Sequence, residues 1–281
     1  MIDAHTHLGV ISAQAHSLNE AGLTAEQMVD RMNRCGIDRA VLLPLDSPEA
    51  SICNFTNQDC LAAYRRFPER FLPFCCVDPR RPDAPKLLPL WKERGCLGFG
   101  EHKTGLAIDD PRSKELYKIC GELGWPVLIH IDHLIHPRLN WDEPGLPRLQ
   151  RLVEELPGTI FIMHGPGWWS EISAKVEEGV IYPEGPIEPG GAADRLLSEA
   201  PNIYADLSAH SGYNALTRDP NFTEEFLDRN WRKLLFGTDY LCPGQECPIV
   251  DWIKRLEIEP EKREAIEEGN LLRILGREKE S

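Results

Sequence analysis

Short apolar runs alternate with amphipathic stretches along the whole chain. Runs at 39–45, 71–77, 96–101, 125–131, 159–164, 202–207 and 233–239 are nearly continuous in apolar residues, as strands covered on both faces are. The opening segment 2–7 makes an eighth strand. Between them the pattern predicts helices over 57–67, 84–94, 113–123, 146–156, 192–199 and 224–230. An earlier helix begins after Thr24, where Gln27 stands at capping-box spacing, and stops near Cys35-Gly36. The tail from 248 to 275 reads as helices with an apolar stripe at Ile266, Leu271, Leu272 and Leu275.

Strands that alternate with helices predict a parallel sheet. Eight such repeats in 281 residues predict an α/β fold of the distorted (β/α)8 barrel type. An open doubly wound sheet is the alternative, but no Gly-x-Gly-x-x-Gly follows the first strand. No linker divides the chain. It reads as one domain over 1–281 with a Gly-, Pro- and Trp-bearing insertion at about 165–191.

Charge and composition narrow the classes. A net charge of −14 argues against a nucleic-acid partner, which needs a basic footprint. No apolar run has the length of a membrane span, and Asp3, His5 and His7 interrupt any signal-peptide core. The 9 cysteines form no Cys-x-x-Cys pair and read as free thiols in a reducing, cytoplasmic setting.

The candidate chemistry collects at strand ends, where a barrel of this type keeps its active site. The first strand carries His5 and His7, two positions apart and therefore on one face. The fourth ends at Glu101, the fifth at His130, the sixth at His164 and the eighth at Asp239; the seventh carries Asp206. All 9 histidines fall at predicted strand ends or in loops after them. Imidazoles with carboxylates make a site for a divalent metal, with Zn²⁺ the first choice and Mn²⁺, Fe²⁺ or Ni²⁺ the alternatives. An open coordination position acidifies water, and Asp239 is placed to handle its proton.

The set Asp3-x-His5-x-His7, the lone His130 and His164, and Gly237-Thr238-Asp239 resembles the amidohydrolase superfamily. Together with Glu268-Gly269-Asn270-Leu271-Leu272-Arg273-Ile274-Leu275 it resembles the amidohydrolase-2 branch, which includes the aminocarboxymuconate-semialdehyde-decarboxylase-like enzymes. The resemblance implies a distorted TIM barrel with one or two metal ions. It makes His5, His7 and His130 ligands and Asp239 a ligand and proton shuttle. His164 becomes a second-metal ligand or a catalytic group. Glu101 departs from the superfamily's common lysine at this place and reads as a bridging ligand, against a rim salt bridge.

Around this set, Lys103 and Arg138 are candidates for holding a substrate carboxylate. Trp168, with Trp141 and Trp169, is a candidate lid, and His210 a substrate contact; His133 and His136, in the loop after His130, read as substrate contacts or as plainly solvated residues. His102 points away from Glu101, and Asp206 is a candidate to orient a ligand imidazole. The leading expectation is a metal-dependent hydrolase that cleaves a C–O, C–N or P–O bond of a small molecule. The alternatives are a metal-dependent non-oxidative decarboxylase or lyase, and a metal-binding barrel without turnover. A homo-oligomer is expected by analogy only.

Overall fold

The computed structural model describes residues 1–11, 22–50, 53–132, 139–176 and 179–277. Eight parallel strands form within or beside the apolar runs. They are β1 (Ile2–Thr6), β2 (Arg39–Leu42), β3 (Phe71–Pro73), β4 (Phe99–His102), β5 (Val127–His130), β6 (Phe161–His164), β7 (Ile203–Asp206) and β8 (Leu234–Leu235). One ladder runs β1-β2-β3 and the other β8-β7-β6-β5-β4. Backbone bonds join the two ladders into a closed ring. Cys75 N donates to Gly98 O at 3.0 Å and Gly100 N to Cys75 O at 2.8 Å, which links β3 to β4. Ala4 N donates to Phe236 O at 2.8 Å and Asp239 N to His5 O at 2.9 Å, which links β8 to β1.

The helices are α1 (Ala25–Cys35), α2 (Asn57–Arg66), α3 (Ala84–Glu93), α4 (Pro111–Glu122), α5 (Pro147–Glu155), α6 (Pro166–Ser170), α7 (Ala192–Glu199), α8 (Ala209–Thr217), α9 (Pro220–Asn230), α10 (Ile249–Arg255), α11 (Pro260–Glu264) and α12 (Asn270–Ile274). α1 has the predicted cap: Gln27 N donates to Thr24 Oγ1 at 3.2 Å, and Thr24 N to Gln27 Oε1 at 2.9 Å. Its end is Gly36 at φ 70, where a Cβ would be strained.

α6 and α8 were not predicted, and α8 changes one reading. His210, Ser211, Gly212, Tyr213 and Asn214 are weak helix formers. Packing overrides propensity there, because Gly212 lies so close to the backbone just past β7 that a Cβ would stand 2.5 Å from Leu207 O. His210 therefore sits on a helix and not in a loop. The short antiparallel pair Val10–Ile11 and Cys53–Asn54 was also unforeseen; two residues carry no readable period.

The core has two layers. Ile2, Ala4, Val41, Leu43, Leu72, Phe74, Leu128, Ile162, Tyr204 and Leu235 fill the barrel, and Leu271, Leu272 and Ile274 of α12 pack against them. The alternate residues, such as Val127, Ile129, Phe161 and Met163, belong to the layer shared with the helices. The buried thiols Cys60, Cys75, Cys96 and Cys120 are free and act as small fillers in that outer layer. Among the described residues no helix is long and apolar enough to cross a membrane.

This alternation carries side chains from core to site. Leu128 leads two residues on to His130, Ile162 to His164 and Tyr204 to Asp206. β1 and β4 break the period, and each has a register shift, between Asp3 and Thr6 and between Phe99 and His102. In β1, Ile2 and Ala4 face the barrel core, yet His5 and His7 reach the site, while Thr6 Oγ1 donates to Val41 O at 2.6 Å. In β4, a Cβ on Gly98 would meet the Phe74 ring at 2.5 Å, and Phe99 lies in the outer layer. His102 also turns outward, its ring 5.5 Å from that of Tyr117, and Glu101 is left facing inward.

Candidate active site

Six of the side chains singled out in the sequence meet at one end of the barrel. His5 Nε2 and His7 Nε2 are 3.1 Å apart. Glu101 stands between two groups of imidazoles. Its Oε2 lies 3.6 Å from His5 Nε2 and 3.2 Å from His7 Nε2. Its Oε1 lies 3.0 Å from His130 Nδ1 and 3.7 Å from His164 Nε2. Asp239 Oδ1 is 3.5 Å from His5 Nε2 and 3.4 Å from His7 Nε2. Three overlapping triads follow, His5/His7/Glu101, His5/His164/Asp239 and Glu101/His130/His164, each with donor atoms within 4.8 Å of one another.

The back sides of the rings fix which nitrogen faces the cluster. His5 Nδ1 lies 2.9 Å from Asp206 Oδ2, and His164 Nδ1 2.9 Å from Asp206 Oδ1. His7 Nδ1 lies 2.7 Å from Leu43 O. A carboxylate and a carbonyl only accept, so each Nδ1 carries the proton it donates. The Nε2 atoms of neutral His5 and His7 then point lone pair at lone pair across 3.1 Å. A cation between the two nitrogens resolves that contact, as does a proton on His5 Nε2. Glu101 Oε2 and Asp239 Oδ1 are buried beside it and receive no well-aligned hydrogen bond among the described residues, although Lys103 Nζ is 2.8 Å from Glu101 Oε2 as an ion pair. The donor set fits a divalent metal ion.

Electrostatics agree. Burial works against charge on His5, yet Asp206, Glu101 and Asp239 hold its pKa well above the usual imidazole range. Burial would raise Glu101, but Lys103 and His5 hold it well below the carboxylate range. Asp239, half-buried at the rim, is brought down to about 2 by His5 and His7. His130 goes the other way, to about 4, through burial and the neighbouring Lys103 charge. The neutral form of His130 is favoured.

Two supports hold the site together, Asp3 from the first motif and Ser208, which had no sequence signal. Asp3 accepts from Thr238 N at 2.9 Å, from Thr238 Oγ1 at 2.6 Å and from His5 N at 3.1 Å, so it ties the last strand end to the first. Asp239 follows in a left-handed conformation, φ 53, held by Asp239 N to His5 O and by Gln245 Nε2 donating to Asp239 O at 2.9 Å. Ser208 lies 3.0 Å from His164 Nδ1 and donates to Asp206 Oδ1 at 2.5 Å. Gly165, at φ 99, lets the chain pass His130: a Cβ there would be 3.2 Å from His130 Nε2.

The remaining candidates divide. Lys103 is at the site, on the same side as Glu101. Trp168 is not a lid. Its ring is wholly buried in the outer core, with Trp169 at 2% exposure beside it, because α6 folds inward after β6. His210 is exposed, and its ring meets that of Tyr182. Arg138, His133 and His136 lie outside the described residues.

Known proteins share the fold that brings these residues together. No curated protein matches the chain. Solved structures do match in fold. One is a probable 2-pyrone-4,6-dicarboxylic acid hydrolase from Acinetobacter baumannii with citric acid bound: 17% identity, 98% of each chain, TM-score 0.64. Another is 2,6-dihydroxybenzoate decarboxylase from Rhizobium: 15% identity, 98% of each chain, TM-score 0.62. A third is 5-carboxyvanillate decarboxylase from Novosphingobium aromaticivorans, complexed with manganese: 16% identity, 98% of this chain and 95% of that one, TM-score 0.66. The family described as Amidohydrolase matches residues 2–277, and the chain belongs to that family.

Proposed function

We propose that this protein is a metal-dependent hydrolase that cleaves a C–O, C–N or P–O bond of a small molecule, acting as one domain over 1–281 with 165–191 as an insertion. The observation that carries this reading is Glu101, whose two oxygens face two separate pairs of imidazoles. In this reading His5, His7, Asp239 and Glu101 would hold one ion, and Glu101 with His130 and His164 would hold a second. Zn²⁺ is the first choice and Mn²⁺, Fe²⁺ or Ni²⁺ suit the same donors. Bound divalent ions supply Lewis acidity and lower the pKa of water.

The chain's own residues do the rest. Asp239 takes the proton of the attacking water and returns it to the leaving group, a task for an ionised carboxylate. Asp206 holds His5 and His164 in one tautomer. Lys103, with its side chain 18% exposed, is near enough to the mouth to meet an anionic group of the substrate. The acidic chain gives nucleic acid no basic footprint, so small molecules in the cytoplasm are the proposed setting.

One contact favours a second reading, a one-metal decarboxylase or lyase. Lys103 Nζ stands 2.8 Å from Glu101 Oε2 and takes part of the place a cation would hold. His164 would then protonate the product. Metal counting by elemental analysis, run beside a panel of esters, lactones, amides, phosphate esters and aromatic acids, separates the two. Two ions per chain with hydrolysis are expected; one ion with release of carbon dioxide would overturn the hydrolase.

A further inference from the structure

We propose that Tyr182, in the segment after α6, is a substrate-contacting residue of this site, its phenol donating a hydrogen bond to a neutral oxygen on the substrate away from the bond that breaks. The proposal deepens the reading of a metal site at the barrel mouth and rests on it.

Tyr182 is 44% exposed, and among the described residues only Leu90 and Tyr182 are large apolar or aromatic side chains left so open. It does not serve the core. Its ring sits edge-on to His210, with centroids 4.5 Å apart at 86°. His210 in turn belongs to the first turn of α8, and that turn is anchored to the site. Ala209 N donates to Thr238 O at 3.4 Å, one residue before Asp239. Ser208 bonds Asp206 and contacts His164 Nδ1. The loops after β6, β7 and β8 therefore converge where Tyr182 meets His210.

The surroundings fix the chemistry. Partial burial raises the Tyr182 phenol above its ordinary range, and the Asp239 and Asp132 carboxylates add to the rise. The hydroxyl keeps its proton and is a donor at neutral and alkaline pH. The negative field of Asp239 and Asp132 that reaches the phenol favours a neutral carbonyl or ether oxygen as its partner, whereas a second substrate carboxylate there would meet like charge. His210 holds the ring edge-on and limits the arc the hydroxyl can sweep.

The test compares isosteric ligands. With zinc-loaded protein, calorimetry measures binding of 3- and 4-acetylbenzoate against 3- and 4-isopropenylbenzoate. The carboxylate anchors each at the metal, and the two substituents differ only in the oxygen acceptor. A net hydrogen bond of ~1 kcal/mol predicts that one acetyl acid binds roughly 5-fold tighter than its alkene partner. Tyr182→Phe should bring that ratio to within about twofold while leaving the alkene affinity unchanged, and His210→Ala should reduce it. A ratio that survives in Tyr182→Phe overturns the proposal, as does a wild type that binds no acetyl acid or shows no preference. Binding is read without turnover, so a protein that hydrolyses nothing yet shows the ratio would sink the hydrolase and leave Tyr182 in place.

Discussion

Asp206 is the most informative residue to change, because it serves two imidazoles and, in the reading above, no ion directly. Its oxygens accept from His5 Nδ1 and His164 Nδ1, both at 2.9 Å. In Asp206→Asn one oxygen remains and the other position becomes an NH₂ group. One ring keeps its acceptor. The other finds a donor facing its donor and moves its proton to Nε2, which removes that nitrogen from the ligand set. A hydrogen bond to a charged group is worth about 1.5–3 kcal/mol, so metal affinity on that side should fall by ~10–100-fold. His5 and His164 lie on different sides of Glu101, so one class of ion should weaken and the other change little. Competition titration with a chromophoric chelator reads the two affinities, and ¹⁵N NMR of the histidines reads the tautomers directly. Unchanged far-UV circular dichroism would show the barrel intact. If both affinities stay within about threefold of wild type, the argument that Asp206 sets the tautomers is wrong.

Three further outcomes are expected. Asp239→Asn should cut kcat by at least ~10³-fold in steady-state assays while the melting temperature of the loaded protein stays within a few degrees; retained turnover contradicts its role as proton carrier. Glu171, buried with Oε1 unpartnered, is raised from 4.5 to about 7 by burial and by Asp142. A raised carboxyl favours the fold below its unfolded pKa and loses that contribution as pH rises through the folded one. Glu171→Gln should therefore stabilise the protein at pH 8 by ~1–2 kcal/mol, a discounted share of the roughly 3.4 kcal/mol that about 2.5 units represent, and by almost nothing near pH 4.5, read from urea midpoints; equal effects at both pH values would refute this. Gly98→Ala places a methyl 2.5 Å from the Phe74 ring and should cost ~1–3 kcal/mol by thermal unfolding, with a smaller loss in Phe74→Leu background.

Most of the barrel was legible because its strands are short apolar runs with one phase. Val127, Ile129 and Leu128, His130 sort onto two faces by counting in twos. What counting cannot reach is a change of phase. Ile2 and Ala4 predict Thr6 as the next inward residue, yet the register shift in β1 turns His5 and His7 to the site. The gathering of histidines at strand ends was a better guide there than parity. α8 failed for another reason: Gly212 and Ser211 look like a loop until the backbone just past β7 is brought against them. Trp168 failed because an aromatic in a mouth loop reads the same whether it covers substrate or fills the wall. Tyr182 and Ser208 carried no pattern at all, since their importance lies in contacts made across loops far apart in sequence.

The bond from Thr238 to Asp3 also fixes an order in time. It spans 235 residues and joins the first strand to the last. A nascent chain stopped short of residue 238 has already made His5, His7, Glu101, His130 and His164, but has not yet made Asp239. The plug of Leu271, Leu272 and Ile274 arrives later still. If these residues hold metal as proposed, full capture waits for the last strand to be made. A chain that ends before the last strand would carry five of the six side chains gathered at the barrel mouth and lack the Asp239 carboxylate.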